Sequence, residues 1–172
     1  TGQVTPLFTF NDYFNSFSLV RDGSLVVFCD TRNNLFLWDA ETGEIIRHFP
    51  PDDEETEVLE GHRPTHDDSD GSYALWYVTF SPDGKTAFSS AFDDTIIHWD
   101  LETGAVLRQY KEHTSGVLGV TVLDDGDRFL SHSWDESIIM WDTATGDIIR
   151  KFEGHEHWIW SVALSPDGKT FL

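Results

Sequence analysis

The chain has 172 residues and a net charge of −20, from 31 acidic and 11 basic side chains. This charge argues against nucleic acid and anionic membranes as partners, because both are bound mainly through Lys and Arg. The only cysteine, Cys29, leaves no internal disulfide and no Cys-based zinc cage. It leaves the compartment open but favours a reducing one, such as the cytoplasm. No apolar run reaches the roughly eighteen residues of a membrane span.

Short strands separated by polar turns are predicted along the whole chain, beginning with a strand in "GQVTPLF" (2–8). The clearest unit lies near the C-terminal end. Its pattern predicts a second strand over 127–133, a tight turn over 134–137, a third strand over 138–142 and a fourth over 147–152. The next segment, 157–165, alternates mostly apolar with polar residues, and it predicts a further first strand followed by the turn "PDGKT".

A similar sequence occurs three times, and each time it runs from the third strand through a turn into the fourth strand. The three copies are "LWDAETGEIIRHF", "HWDLETGAVLRQY" and "MWDTATGDIIRKF". Their tryptophans, Trp38, Trp99 and Trp141, are 61 and 42 residues apart. The longer spacing contains about 19 extra residues, which fall in the acidic segment 50–74. A period near forty with several short strands per unit is typical of a propeller blade.

Together with "SPDG" at 81–84 and 165–168 and the pair Gly154-His155, these motifs give a sequence that resembles the WD-repeat family of β-propellers. The resemblance implies an all-β propeller of four-stranded antiparallel blades, with about three complete blades and partial blades at both ends. The expected boundaries are a blade remnant at 1–10, blades at 11–50, 74–111 and 112–153, the insertion at 50–74, and a partial blade at 154–172. Because propellers of this family usually close a ring of more blades, we expect a portion of a longer protein. A two-chain ring is the alternative, but it would lack one third strand.

The resemblance also implies a buried set of hydrogen-bonded side chains in each blade. It matches His113, Ser131, Asp135 and Trp141 in one blade, and Ser89, Asp93 and Trp99 in the preceding one, with His62 or His66 as its histidine. In the first blade Arg32 replaces the Asp, so we expect the set to be absent or replaced there and that blade to be the least rigid. A Ser-His-Asp catalytic triad is the rival interpretation. A repeated and buried set offers neither an exposed nucleophile nor an oxyanion hole, and the structural interpretation is favoured.

The segment from residue 52 to residue 70 holds nine acidic residues and one basic residue. A solvated loop is one interpretation, and a docking site for a basic partner is the other. The proposed contacts there are Asp52, Asp53, Glu54, Glu55, Asp67, Asp68 and Asp70. "HDDSDG" (66–71) resembles the start of a calcium loop, but His66 and Tyr77 stand where acidic ligands belong. His62 and His66 have helical spacing in a non-helical segment, so zinc is not favoured either.

Apolar residues at equivalent positions of the later blades predict an exposed arc on the upper rim. Its members are Trp76, Phe92, Leu118, Trp134 and Trp160, whereas the first blade has Asn15 and Thr31 at these positions. Such side chains either anchor a partner or pack between blades.

These patterns predict a non-catalytic protein-interaction scaffold that docks a protein or peptide on its rim, with a basic partner as one interpretation. No cofactor or metal is expected, and the patterns do not favour a small-molecule ligand. The alternative is a sensor or regulatory module of a longer multidomain enzyme whose catalytic domain lies outside this chain.

Overall fold

A computed structural model of the protein describes residues 14–30, 34–49 and 75–172, and all structural statements below concern these ranges. They contain twelve strands in three antiparallel sheets, ordered β1-β2-β3-β4, β5-β6-β7-β8 and β9-β10-β11-β12. The all-β fold and its three complete four-stranded sheets are thus confirmed, and the three sheets do not close a ring. The strands are β1 (Phe14–Leu19), β2 (Leu25–Asp30), β3 (Leu35–Asp39), β4 (Ile45–Phe49), β5 (Leu75–Phe80), β6 (Thr86–Ala91), β7 (Thr95–Asp100), β8 (Val106–Lys111), β9 (Val117–Val122), β10 (Arg128–Ser133), β11 (Ile138–Asp142) and β12 (Ile148–Phe152). No helix within the described ranges is long and apolar enough to cross a membrane.

The repeated Asp-x-x-Thr-Gly sequence builds the turn between the third and fourth strands of each sheet. In the second sheet Asp100 Oδ1 accepts hydrogen bonds from the backbone N of Thr103 at 2.7 Å and from its Oγ1 at 2.8 Å. Gly104 then adopts a φ of 82°, a conformation that favours glycine. The repeat therefore encodes a self-capped turn, and the Asp of each Trp-Asp pair is part of that turn.

Each sheet packs face to face on the next one. In β6 and β7, Ala87, Ile97 and Trp99 belong to the core shared with the first sheet, whereas Phe88 and Ile96 belong to the core shared with the third. This alternation is the period-2 pattern of a strand that is buried on both sides. The middle sheet is therefore apolar on both faces, and the first and third sheets cover these faces.

The innermost strand of each sheet contains a β-bulge at an equivalent position. The register of β1 with β2 skips Asn15, that of β5 with β6 skips Trp76, and that of β9 with β10 skips Leu118. Asn15 Nδ2 donates to the carbonyl of Leu75 in the next sheet at 2.6 Å. A bulge re-aims its side chain, so this position is suited to contacts beyond its own sheet.

The predicted strand over 157–165 is wrong. Residues 154–172 follow an irregular path with a single β-bridge between Leu164 and Phe171. Ile159 and Val162 are nevertheless buried against the third sheet. Backbone hydrogen bonds join Ala163 to Leu172 and Ser165 to Thr170, but so short a pairing is marginal as a sheet, and the segment depends largely on apolar packing.

In the first sheet an aromatic stack occupies the place of the polar set. Register pairs Phe28 with Phe36 where the third sheet pairs Ser131 with Ile139. The rings of Phe28 and Phe36 stack at 5.0 Å, and Phe36 stacks on His48 at 4.7 Å. The predicted replacement of the set is visible at Phe28, whereas Arg32 and the strand predicted at 2–8 lie outside the described residues.

An arginine that recurs four residues after each turn glycine connects neighbouring sheets. The guanidinium of Arg47 donates to the carbonyls of Glu102 and Thr103 in the second sheet. Arg108 repeats this contact one sheet further on, where its Nη2 donates to the carbonyl of Ala144 at 2.7 Å. The guanidinium carbon of the third, Arg150, lies 5.0 Å from the ring centre of its own Phe152.

We predict that Arg108→Met lowers the free energy of unfolding by about 1 kcal/mol, because a charge-assisted bond between sheets is lost while the aliphatic packing remains. The measurement is the urea midpoint of the chain. Arg150→Met is the matched control, since its guanidinium contacts only a ring of its own sheet, and its effect should be smaller. Equal effects of the two substitutions would contradict the assignment.

Candidate functional site

Four side chains of the third sheet form one continuous chain of hydrogen bonds. Trp141 Nε1 donates to Ser131 Oγ at 2.8 Å, Ser131 Oγ lies 2.7 Å from His113 Nε2, and His113 Nδ1 lies 2.8 Å from Asp135 Oδ2. A single tautomer satisfies every group, with Nδ1–H donating to the carboxylate and Nε2 accepting from the hydroxyl. This network ties β11, β10, the turn after β10 and the connection before β9 together.

The electrostatics of the network suit a structural role. Burial lowers the pKa of His113, so the ring is neutral at pH 7. Burial opposes ionisation of Asp135, but hydrogen bonds from Ser137 and His113 hold its pKa below the usual value. The Ser131 hydroxyl is fully buried and already accepts the indole N–H. It is therefore not presented to a substrate as a nucleophile.

The second sheet repeats part of this arrangement. Trp99 Nε1 donates to Ser89 Oγ at 2.8 Å. Asp93 Oδ1 accepts from the backbone N of Thr95 at 3.1 Å and from its Oγ1 at 2.8 Å. The candidate histidines, His62 and His66, lie outside the described residues. The described part thus brings each predicted Ser and Trp together and fixes the turn that contains Asp93.

Above the networks, five aromatic rings form a continuous contact series that we call the aromatic ladder. Successive ring centres are 5.0, 4.6, 5.0 and 5.9 Å apart. Three rings are open to solvent: Trp76 is 36% exposed, Trp158 52% and Trp160 63%. In order, the aromatic ladder consists of Trp76, Phe92, Trp134, Trp158 and Trp160.

The two middle rings of the aromatic ladder, those of Phe92 and Trp134, lie against the backbone at Gly116. Trp134 N donates to the carbonyl of Gly116 at 3.0 Å. A Cβ at Gly116 would lie 2.8 Å from Phe92 Cδ1 and 3.2 Å from Trp134 Cε3. Only a glycine allows the two rings to lie this close to the connection before β9. Close contact with the Gly116 backbone therefore restricts the positions of both rings.

The structure brings Trp76, Phe92, Trp134 and Trp160 together, but the prediction that Leu118 belongs to an exposed arc is wrong. Leu118 is only 3% exposed. It lies on β9, beside which the next segment runs, as a hydrogen bond from Thr121 Oγ1 to the carbonyl of Val162 shows. Burial of this aliphatic side chain outweighs its position at the bulge.

Sequence reasoning missed Trp158, which joins Trp134 to Trp160. The signal was the sequence Trp-Ile-Trp at 158–160, since residues two apart in an extended segment point to one side. The buried Ile159 between the two exposed indoles follows the same alternation.

The acidic candidates Asp52, Asp53, Glu54, Glu55, Asp67, Asp68 and Asp70 all lie outside the described residues, as does the calcium-like sequence at 66–71. Within the described ranges no group of three or more His, Cys, Asp or Glu residues is arranged to hold a metal ion. The only cysteine, Cys29, is buried in the core, and burial raises the pKa of its thiol to about 12. It is therefore a protonated core residue and not a ligand.

Three stretches of the sequence, residues 54–100, 104–142 and 146–172, match the family model of the WD domain, G-beta repeat (WD40). The chain belongs to the WD40 repeat family. The second and third four-stranded sheets and the Trp-Ser-His-Asp network of the third sheet lie within the matched stretches.

Two animal proteins show similarity over much of the chain. One is transducin-like enhancer protein 2 of Mus musculus, 26% identical over 130 residues, which are 72% of this chain and 14% of that protein. The other is protein groucho of Drosophila melanogaster, 27% identical over 106 residues, or 62% of this chain and 12% of that protein. The match thus spans about one eighth of each relative's length.

We predict that Ser131→Ala lowers the free energy of unfolding by about 2 kcal/mol, because it leaves buried groups on Trp141 and His113 without their partner. Adding Trp141→Phe should remove the stranded indole donor. The double variant should then lose less stability than the sum of the two single variants, as measured by a urea double-mutant cycle. Additive losses would show that the serine and the indole are not coupled.

Stability should also fall as the pH drops from 6.5 to about 4. Burial lowers the pKa of both His98 and His132 to about 4, and it lowers that of His113. Between these pH values the unfolded chain binds protons that the folded chain does not, so protonation favours unfolding. The urea midpoint measured against pH checks this, and His98→Gln should flatten the slope between pH 4.5 and 6.5. An unchanged slope in that variant would contradict the contribution of His98.

Proposed function

We propose that this chain is part of a protein-interaction scaffold, with the aromatic ladder as the surface that docks a segment of a partner protein. The observation that carries the proposal is the run of five touching rings, three of them open to solvent, across the second sheet, the third sheet and the segment after it. Large aromatic side chains at the centre of a surface supply most of the binding free energy in protein interfaces.

The support beneath the aromatic ladder suits such a role. The network of His113 and Asp135 fixes the turn that begins with Trp134, and the Gly116 backbone holds Phe92 and Trp134 from below. A docking surface whose rings are fixed in advance loses little conformational entropy on binding. The proposed role is binding and not catalysis, since the hydroxyl of the Ser-His-Asp set is buried.

The acidic segment 50–74 belongs to this proposal as a second contact region. It directly precedes β5, the strand that contains Trp76, and its carboxylates would favour a basic partner and disfavour nucleic acid. A peptide or protein partner is thus proposed, with no small-molecule ligand.

The proposal is tested by selecting random linear peptides on a display library against the chain and measuring their affinity by fluorescence anisotropy. We expect Trp160→Ala to weaken the selected peptides by about tenfold or more, as for an aromatic anchor. Leu107→Ala is the matched control, because Leu107 is a 48% exposed apolar residue on the outer strand β8, away from the aromatic ladder. Its affinity should equal that of the parent chain.

Two results would overturn the proposal. One is that no selected peptide is sensitive to Trp160→Ala while the variant keeps the parent circular dichroism spectrum. The other is a concentration-dependent dimer in light scattering that Trp160→Ala abolishes, which would place a second copy of the chain on the aromatic ladder.

A further inference from the structure

Each turn that places a ring in the middle of the aromatic ladder also carries acidic residues. The turns read Phe92-Asp93-Asp94 and Trp134-Asp135-Glu136. Asp94 and Glu136 occupy equivalent positions, with φ of 69° and 67°, and they are the described non-glycine residues with positive φ. A side chain in this conformation is rarely chosen for backbone reasons alone, least of all a glutamate.

The inner acids of the two turns are used by the fold, but the outer acids are not. Asp135 accepts hydrogen bonds from His113, Thr114 and Ser137, and Asp93 accepts from Thr95. Asp94 and Glu136, in contrast, accept no hydrogen bond and form no ion pair anywhere in the part of the chain that the structure describes. Their carboxylates therefore have no partner within the described ranges, and each acid follows a residue of the aromatic ladder by two positions in the chain.

The charges of both turns act on the carboxylate of Asp94. Burial raises the pKa of Asp94, and the charges of Asp93 and of Asp135 in the neighbouring sheet raise it further. Placing a cation between them would relieve this repulsion. The negative field therefore extends across the boundary between the two sheets, directly beside the contact of Phe92 with Trp134.

Among the described residues, few basic side chains lie where they could neutralise these carboxylates. On the side of the sheets that carries the turns after β6 and β10, the lysines are Lys111 and Lys151, each near the end of an outer strand. Lys151 already lies 3.8 Å from Glu153. The acidic balance there agrees with the net charge of −20 of the whole chain.

We infer that the aromatic ladder binds a partner segment through an arginine side chain, which stacks on an exposed ring while its guanidinium pairs with Asp94 or Glu136. The inference rests on the proposed function and names the chemistry of the partner. A guanidinium is the side-chain cation that combines stacking on an aromatic face with a fork of donors for a carboxylate. Aromatic rings alone would accept any apolar segment, whereas rings bordered by unused carboxylates select a cationic one.

The test uses the tightest peptide from the display selection and its version in which each arginine is replaced by citrulline, a neutral side chain of the same shape. We expect citrulline to weaken binding to the parent chain by about tenfold. Asp94→Asn combined with Glu136→Gln should reduce this difference to near one, since asparagine tolerates the positive φ at position 94. Glu41→Gln combined with Glu102→Gln, in the exposed turns between β3 and β4 and between β7 and β8, also removes two charges and should leave the tenfold difference unchanged.

The outcomes separate the two proposals. Peptides that need Trp160 but contain no arginine, or that bind equally well with citrulline, would overturn this inference and leave the docking function intact. Equal binding with lysine in place of arginine would overturn the assignment of a guanidinium. Peptides that are insensitive to Trp160→Ala would overturn both proposals.

Discussion

The requirement that every sheet be covered on both faces governs this fold. A four-stranded sheet with apolar residues on both sides is not stable alone, because each uncovered face leaves large side chains in water. The second sheet meets the requirement through Trp99 and Ala87 on one side and Phe88 and Ile96 on the other. The first sheet shows what an uncovered face looks like, since Phe17 is 66% exposed. Stability is therefore a property of neighbouring repeats and not of any single one.

The same stacking creates the candidate site. When sheets of one design pack side by side, equivalent turns become neighbours, and residues at equivalent positions meet across the boundary. Phe92 and Trp134 are such a pair, and their rings stack at 4.6 Å. The bulge at Trp76 and the extended segment with Trp158 and Trp160 lengthen this pair into the aromatic ladder. A surface that crosses sheet boundaries thus follows from the period of the repeat, and the fold supplies its rigidity.

Patterns confined to one repeat were predictable from the sequence, and contacts between repeats were much less so. The strands around Ser131 and Trp141, the turns with Gly104 and the all-β class depend on local alternation and turn chemistry. The burial of Leu118 and the arginine contacts from Arg47 and Arg108 depend on which neighbour lies opposite, which one repeat does not encode. The segment 157–165 has the alternation of a strand but pairs with too little chain to form a sheet. Trp158 could have been predicted as part of the aromatic ladder, because the Trp-Ile-Trp sequence places both indoles on one side of an extended segment.

The turn at residues 134–136 contains one side chain that stabilises the fold and others that belong to the proposed binding surface. Within one turn, Asp135 bonds to the buried network and stabilises the sheet, whereas Trp134 belongs to the aromatic ladder and Glu136 is exposed. The equivalent of Trp134 in the second sheet is Phe92, so a phenyl ring satisfies the packing at this position. The indole of Trp134 is less favourable for stability, because its Nε1–H is buried without an acceptor among the described residues. A side chain that costs stability where a simpler one fits is expected at functional sites. Under the proposed function, the indole at residue 134 serves the aromatic ladder rather than the packing of the sheets.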